Sequence, residues 1–305
     1  MASDPTDETP ALDDATSAFV RARPRLFGIA YRMLGSVPEA EDVVQETWLR
    51  WQATDRDVVV HPAAFLATTT TRLAITAAQS ARVRREAYLG PWLPEPIDTS
   101  ADPGLGAERG EALELAVLLL LERLPPLERA AYVLREAFDH SYAQIAETLQ
   151  VSEANARQLA SRARKHLAAE RRTHVDVDEQ RRLLDAFLVA ARAGDMASLV
   201  GLFTPEVVSM SDGGGVVRAA RRPVAGRDRV AHFLVAISRW LWVDATITPV
   251  EANGRAALLI RREGRPYALL AIHTTGPTID RIFWVMHPDK LAGIARAADL
   301  GAAAP

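Results

Sequence analysis

The hydrophobic period of this chain changes along its length, and no single fold class accommodates the change. From about Ala15 to Glu86, and again from about Ala107 to Thr173, apolar residues return at three- and four-residue steps, as in helices with one core-facing stripe. Beyond Trp242 the runs VDATITPV, AALLI, PYALLAI and TIDRIFWVM read as strands instead. Asn253-Gly254, Glu263-Gly264 and Gly276-Pro277 fall between them as turns. Residues 87–106 carry Pro91, Pro94, Pro96 and Pro103 and break every periodic pattern, so they form a linker. Its Tyr88, Trp92, Leu93 and Ile97 are too apolar to stay in water, which predicts that it docks. The reading is multidomain: all-α units at 15–86 and 107–173, then an α+β domain over 178–292 whose curled antiparallel sheet can enclose a pocket. Residues 1–14 are acidic and poor in large apolar groups and are expected to be disordered, and residues 293–305 form a tail.

Within the first unit, Phe19, Leu26, Ile29, Ala30 and Met33 make a stripe that ends at Gly35. Ala40, Val43, Val44, Thr47, Trp48 and Trp51 then line one side of a second helix, leaving Asp42, Gln45, Glu46 and Arg50 on the other. A third helix, after His61-Pro62, buries Phe65, Leu66, Leu73 and Ile75 and runs into Arg82, Arg84 and Arg85. In the second unit Ser141 and Gln144 form a capping box, and Ser152 caps the helix that follows. Ile145, Leu149, Val151, Leu159 and Ala163 close a small core between these two helices, which is helix-turn-helix spacing.

Charge distribution points to nucleic acid although bulk charge does not, since the 305-residue chain has a net charge of −3. Arg157, Arg162, Arg164, Lys165, Arg171 and Arg172 face only Glu153 and Glu170 between Ser152 and Arg172. Arg72, Arg82, Arg84 and Arg85 face only Glu86 in the third helix. Two basic helical stretches in an acidic whole are two electrostatic footprints for a polyanion. A helix presenting Glu153, Arg157, Ser161 and Arg164 or Lys165 fits the major groove, where arginine pairs with guanine and Asn155 or Gln158 with adenine. Arg162, Lys165 and Arg171 fit phosphate. The absence of cysteine removes disulfides, thiolate metal sites and cysteine nucleophiles, and fits a reducing compartment. The longest apolar run, Ala116 to Leu121, is far short of a membrane span, so no membrane partner is expected. No cofactor or metal is called for.

LPPLERAAYVLREAFDHSYAQIAETLQVSEANARQLASRARKHL, Leu124 to Leu167, resembles region four of bacterial sigma factors. AEDVVQETWLRW, Ala40 to Trp51, is similar to their region two. The compact two-block layout resembles the extracytoplasmic-function class. YLGPWLPEP from Tyr88, DGGG from Asp212 to Gly215, and HPDKL from His287 to Leu291 resemble motifs of members that carry a C-terminal SnoaL-like extension of cone-shaped fold.

This resemblance implies a cytoplasmic, non-enzymatic factor that binds core RNA polymerase and directs promoter recognition and melting. Asp42, Gln45, Glu46 and Arg50 would hold the polymerase β′ clamp. Glu153, Asn155, Arg157, Gln158, Ser161, Arg162, Arg164 and Lys165 would meet the minus-thirty-five element. Arg72, Arg82, Arg84 and Arg85, with Thr68 to Thr71, would serve the minus-ten element, although Arg72 and Thr76 replace the asparagine and aspartate of many relatives. Trp92, Asp212, Gly213, Gly214 and Gly215 would make a regulatory contact, and the C-terminal pocket leaves room for a small-molecule ligand. Val216 and His287 depart from the lysine and asparagine usual in those motifs. Two alternatives are a ligand-responsive helix-turn-helix repressor or activator, and a cyclase or isomerase using His232, Asp244, Tyr267, His273 and Trp284.

Overall fold

The computed structural model describes residues 9–55, 58–100, 113–168 and 176–303. It divides into two compact units. The first is helical: α1 (Thr9–Leu34), α2 (Val37–Ala53), α3 (Pro62–Glu86) to its last turn, then the end of α4 (Leu115–Glu122), α5 (Pro126–Glu136), α6 (Tyr142–Leu149) and α7 (Glu153–Ala168). Regions read above as two separate helical units therefore share one. Helix α1 starts at Thr9, inside the stretch expected to be disordered; residues 1–8 lie outside the described set, as do Arg171 and Arg172.

Helix ends follow local chemistry. Gly35, at φ 64°, stops α1, its N–H donating to the Tyr31 carbonyl at 2.7 Å, and Pro38 opens α2. Ser141 accepts from the Gln144 N–H at 3.2 Å while Gln144 accepts from the Ser141 N–H at 2.8 Å, completing the expected capping box. Gln150 turns left-handed at φ 55°, and Ser152 accepts from the Asn155 N–H at 3.2 Å to start α7. Helix α3 departs from the expected stripe. Its buried face is Leu66, Ala67, Thr70, Thr71, Ala74, Ala78 and Ala81, while Leu73 and Ile75 are half-buried and Thr70 bonds the Thr47 hydroxyl at 3.0 Å. Small side chains admit close helix approach, and each threonine hydroxyl that enters finds an acceptor.

The second unit holds the linker, most of α4 and the C-terminal domain. Residues 113–120, read above with the second helical unit, belong here. Helices α8 (Val177–Ala193), α9 (Met196–Leu202), α10 (Arg227–Leu241) and α11 (Pro288–Ala303) surround a six-stranded sheet. Its strands are β1 (Phe203–Asp212), β2 (Val224–Ala225), β3 (Ala245–Ala252), β4 (Arg255–Arg262), β5 (Arg265–Thr275) and β6 (Thr278–Val285), ordered β2-β1-β6-β5-β4-β3. β3 to β6 form the expected antiparallel meander, with left-handed backbone at Asn253-Gly254 and Glu263-Gly264. β1 was not expected, and it joins β6 in parallel.

Both faces of the sheet are covered, which is why its strands read as nearly continuous apolar runs. Leu258, Ile260, Leu270, Ile282 and Trp284 face a core shared with Leu184 and Phe187 of α8 and Leu234 of α10. Leu259, Leu269, Phe283 and Val285 face the opposite way, against Leu291 and Ile294 of α11, Leu115 and Ala116 of α4, and Leu93 of the linker.

Candidate functional site

In the helical unit, α2 buries Val43, Val44, Thr47 and Trp51 and exposes Asp42, Gln45 and Arg50. Trp48, expected in the core, is only half-buried and packs against Phe19 at 4.8 Å between ring centroids. Glu46 and Arg50 pair at 2.9 Å across one helical turn. The outer face of α2 is thus a mixed-charge ridge.

Helix α7 buries Ala156, Leu159, Ala160, Ala163 and Leu167, leaving the opposite side to polar and basic residues. Glu153, Arg157, Gln158, Ser161, Arg162, Arg164 and Lys165 are exposed, and Asn155 is half-buried. The arginines are held by neighbours: Arg157 by Glu153, Arg162 by Glu128 at 3.2 Å, and Arg164 by Glu136 at 2.7 Å with the Tyr142 hydroxyl at 3.3 Å. Hydrogen bonding to Glu136, then to Tyr142, raises the pKa of Arg164. These carboxylates fix the direction of each guanidinium without burying it.

The basic end of α3 is less available than its composition implied. Arg72 donates to the carbonyls of Thr148 at 2.8 Å and Glu147 at 3.1 Å, at the C-terminus of α6. Thr70 and Thr71 are buried, Thr71 bonding the Ala67 carbonyl at 2.8 Å, and Thr68 meets Thr148 at 3.3 Å, so Thr68 to Thr71 form no open surface. Arg82 and Arg84 are exposed. His140, just before α6, has its imidazole pKa lowered by burial and then by the charge of Arg25, whose guanidinium lies 3.1 Å from Nε2.

In the second unit, Asp212 is the hub. It ends β1 with 0% exposure, and its carboxylate accepts from the Tyr88 hydroxyl at 2.6 Å, the Leu93 N–H at 2.9 Å and the Lys290 ammonium at 2.7 Å. Lys290 also donates to the Leu93 carbonyl. The Trp92 ring lies between two cations, with Arg85 at 3.6 Å and Lys290 at 4.4 Å from its centroid. Burial, then the Asp212 carboxylate, raises the Tyr88 pKa. Burial lowers that of Lys290, with Asp212 pulling the other way. Farther along, the Ile97 N–H and carbonyl bond Asn253, and Thr99 bonds Glu251 at 2.6 Å. The linker is therefore pinned along residues 88–99.

Glycines shape the pocket for this grip. A Cβ on Gly214 would sit 2.2 Å from the His287 ring and 2.7 Å from the Tyr88 hydroxyl, and φ there is +58°. One on Gly215 would sit 2.8 Å from Leu89 Cδ2.

Beside the glycine loop, between α10 and the sheet, lies a cavity of about 630 Å3 lined by Arg218, Phe233, Ala236, Trp240, Tyr267 and Trp284, among others. Of the five residues weighed for catalysis, Tyr267 and Trp284 border it. His232 is exposed and bonded to the Asp228 carbonyl at 2.7 Å, Asp244 is exposed just before β3, and His273 pairs with Asp280 at 2.6 Å; none of His232, Asp244 and His273 lines the cavity. Among the described residues, no group of His, Cys, Asp and Glu could hold a metal ion, and no helix is long and apolar enough to cross a membrane.

Comparison with known proteins decides the family. The model of sigma-70 region 2 matches residues 18–84 and that of sigma-70 region 4 matches residues 114–167. The extracytoplasmic-function RNA polymerase sigma factor SigJ of Mycobacterium tuberculosis is 40% identical over 226 residues, 72% of either chain. The chain belongs to the extracytoplasmic-function sigma factors. A probable sigma factor of the same class, SigI of M. tuberculosis, is 30% identical over 284 residues, covering 92% of this chain and 95% of its own. The crystal structure of SigJ superposes with a TM-score of 0.74 at 33% identity, over 91% of this chain and 98% of that one. In this sigma factor the second helical match contains the helix-turn-helix, and the C-terminal domain has the SnoaL-like fold expected of it.

The sequence reading placed Trp92 with Asp212 to Gly215; in the structure Tyr88, Leu89 and Leu93 meet that segment, and Trp92 is linked to it through Lys290, which it shares with Asp212. It expected Tyr88 to dock and placed Lys290 within the HPDKL motif, but it assigned neither to Asp212, and it did not place Arg85 at this site. The available signal was the pair of aromatic residues in a proline-rich linker, which in this sigma factor needed cations to cap them. Arg85 was assigned to the minus-ten surface, but its guanidinium stacks on Trp92 instead.

Proposed function

We propose that this sigma factor engages the β′ clamp of core RNA polymerase through Asp42, Gln45, Glu46 and Arg50. Helix α7 reads the minus-thirty-five promoter element through Glu153, Asn155, Arg157, Gln158 and Ser161, while Arg162, Arg164 and Lys165 set its register on phosphate. Arg82 and Arg84 serve the melted minus-ten strand, with Arg72 joining them once released from α6. The protein works in the cytoplasm, on promoter DNA, with no covalent chemistry of its own.

Its C-terminal domain regulates these steps by holding the linker. The observation that carries this reading is the convergence of two distant segments on the Asp212 carboxylate at the end of β1: Tyr88 and Leu93 from the linker, and Lys290 from α11. A linker that is pinned at residues 88–99 cannot span the distances open to a free chain of the same length, so its attachment limits how the segments it joins are arranged.

Run-off transcription with purified core polymerase tests the proposal. The full chain gives promoter-dependent transcripts, the Asp42→Ala/Glu46→Ala variant loses polymerase binding, and truncation after residue 173 changes promoter activity at matched protein level. A helix-turn-helix repressor would instead bind duplex DNA without polymerase and give no transcript. Unchanged polymerase binding in the double variant refutes the assigned α2 face.

A further inference from the structure

The loop from β1 to β2, with the first turn of α10, carries a charge that no role above uses. Between Gly213 and Arg229 five arginines, Arg218, Arg221, Arg222, Arg227 and Arg229, face a single acid, Asp228. All but Arg227 are exposed, and among the described residues no hydrogen bond or ion pair holds those four guanidiniums. Helix α7 is the contrast, since there Arg157, Arg162 and Arg164 are each paired with a carboxylate. Four guanidiniums without counter-charges raise a local positive potential that attracts a polyanion, and their planar forks match phosphate oxygens.

The cluster stands on a fixed base. The Val216 and Val217 N–H groups donate to the Gly213 carbonyl at 2.9 and 3.2 Å, and at the far end Val224 and Ala225 pair with Ser209 and Val208 of β1. A Cβ on Gly213 would meet the Val217 carbonyl oxygen at 2.7 Å and the Ala219 Cβ at 2.8 Å, so the turn has no slack. Arginines held between two such anchors lose little beyond side-chain freedom when they take a partner.

Position selects the polyanion. Arg218 and Arg221 border a surface hollow of about 250 Å3 that Leu89 and Gly90 of the linker also line. A Cβ on Gly90 would lie 3.8 Å from the Arg221 Cα. Arg84, exposed near the end of α3, precedes Gly90 by six residues, two of them still helical. The chain between them therefore keeps Arg84 within about 23 Å of Arg221. One DNA strand covers that distance in about seven nucleotides.

We propose that Arg218, Arg221, Arg222 and Arg229 hold backbone phosphates of the melted promoter strand, within about seven nucleotides of those that Arg84 meets, so that the C-terminal domain touches DNA itself. The choice of strand and position rests on the assignment of Arg84 to the minus-ten strand; the affinity of the cluster for phosphate does not. Contacts of this kind add affinity and fix register without reading sequence.

The test uses holoenzyme, the full-length chain with core polymerase, on a promoter fragment with a pre-melted minus-ten bubble. Binding is followed by fluorescence anisotropy across about 0.05 to 0.3 M salt. Each single-strand phosphate contact contributes about 0.7 to the slope of log affinity against log salt, so Arg218→Gln/Arg221→Gln/Arg222→Gln lowers the slope by about 2 and weakens binding about tenfold or more at about 0.1 M salt. Arg229→Gln, outside the hollow beside the linker, lowers the slope by about 0.7 on its own. Uncharged methylphosphonates placed one at a time map the contacts, with Arg84→Gln marking the reference phosphate. Those within about seven nucleotides of it weaken the wild type and leave the triple variant unchanged. Wild-type affinity and slope in both loop variants overturns the contact. A triple variant that keeps its slope on DNA but loses hold of core polymerase overturns it in favour of an acidic protein surface. Sensitive phosphates far from the Arg84 reference overturn the placement. Run-off transcription with the wild-type chain reports the sigma reading separately. Transcripts together with unaltered slopes remove only the loop contact, whereas no promoter-dependent transcript removes the sigma reading itself.

Discussion

Removing the charge of Asp212 while keeping its shape isolates what holds the linker. In Asp212→Asn one face of the amide still accepts a hydrogen bond, but its NH2 group points a donor at a site where all three neighbours, the Tyr88 hydroxyl, the Leu93 N–H and the Lys290 ammonium, donate. The Lys290 side chain, only 13% exposed, is left as a buried cation without its counter-charge. Breaking one side of a buried pair costs about 3–5 kcal/mol, so the variant is expected to lose about 3 kcal/mol in linker docking. Lys290→Met, which leaves the carboxylate with two donors, loses a similar amount, about 3 kcal/mol. The double variant removes both charges and restores an apolar packing partner for Trp92, so its loss is about 2 kcal/mol, far below the summed singles. Hydrogen exchange read by mass spectrometry over residues 88–99 reports the opening free energy, and urea unfolding followed by circular dichroism confirms that the domain itself persists. Losses that add within about 0.5 kcal/mol refute the argument, because independent sites behave that way and a charge pair does not.

Three further outcomes follow from the same geometry. Tyr88 holds its proton more firmly when docked than when free, so docking is stable below the free phenol's value, about 10, and weakens as pH rises through the raised docked value. Lys290, its pKa lowered by burial, contributes in the opposite sense. Tyr88→Phe therefore lowers linker protection at every pH by the lost hydrogen bond to Asp212 and abolishes its alkaline weakening, and an unaltered alkaline profile in that variant refutes the role of the phenol. In the helical unit, the lowered pKa of His140 means the unfolded chain binds the proton first: stability falls as pH drops below about 6.5, and His140→Gln flattens that acid slope in denaturant titrations. Gly214→Ala meets a left-handed φ, the His287 ring and the Tyr88 hydroxyl, so it loosens the linker; adding His287→Ala relieves the ring clash and recovers part of the loss, leaving the Tyr88 contact and a backbone penalty of about 1 kcal/mol, readable in the same exchange experiment.

What could be read from the sequence was whatever is encoded locally. Ser141 with Gln144, Ser152, Gly35 and the Asn253-Gly254 turn act on backbone groups within a few residues, so their types and spacing state the outcome directly. Strand β1 escaped because its partner is β6, far away in the chain, and because its buried face includes Ser209 and Ser211. Ser209 is tolerated there only because the Trp284 indole N–H donates to it at 3.2 Å. The basic run in α3 was read as one surface, yet Arg72 turns to carbonyls of α6 and Arg85 to an indole, choices that depend on what lies opposite rather than on composition.

The linker site shows how the two kinds of information combine. Glycines at 213–215 are visible in the sequence and state only that something approaches closely. What approaches is set by Asp212, whose partners lie 124 residues before it and 78 after it. A buried carboxylate with no donor would cost several kcal/mol, so the fold of β1 next to α11 is tolerable only with the linker or water in place. Lys290 alone satisfies part of one oxygen; Tyr88 and Leu93 supply the rest. The docked linker is thus part of what makes the end of β1 stable, and any condition that releases it leaves Asp212 to be hydrated or re-paired. That obligation ties the domain's local stability to linker attachment.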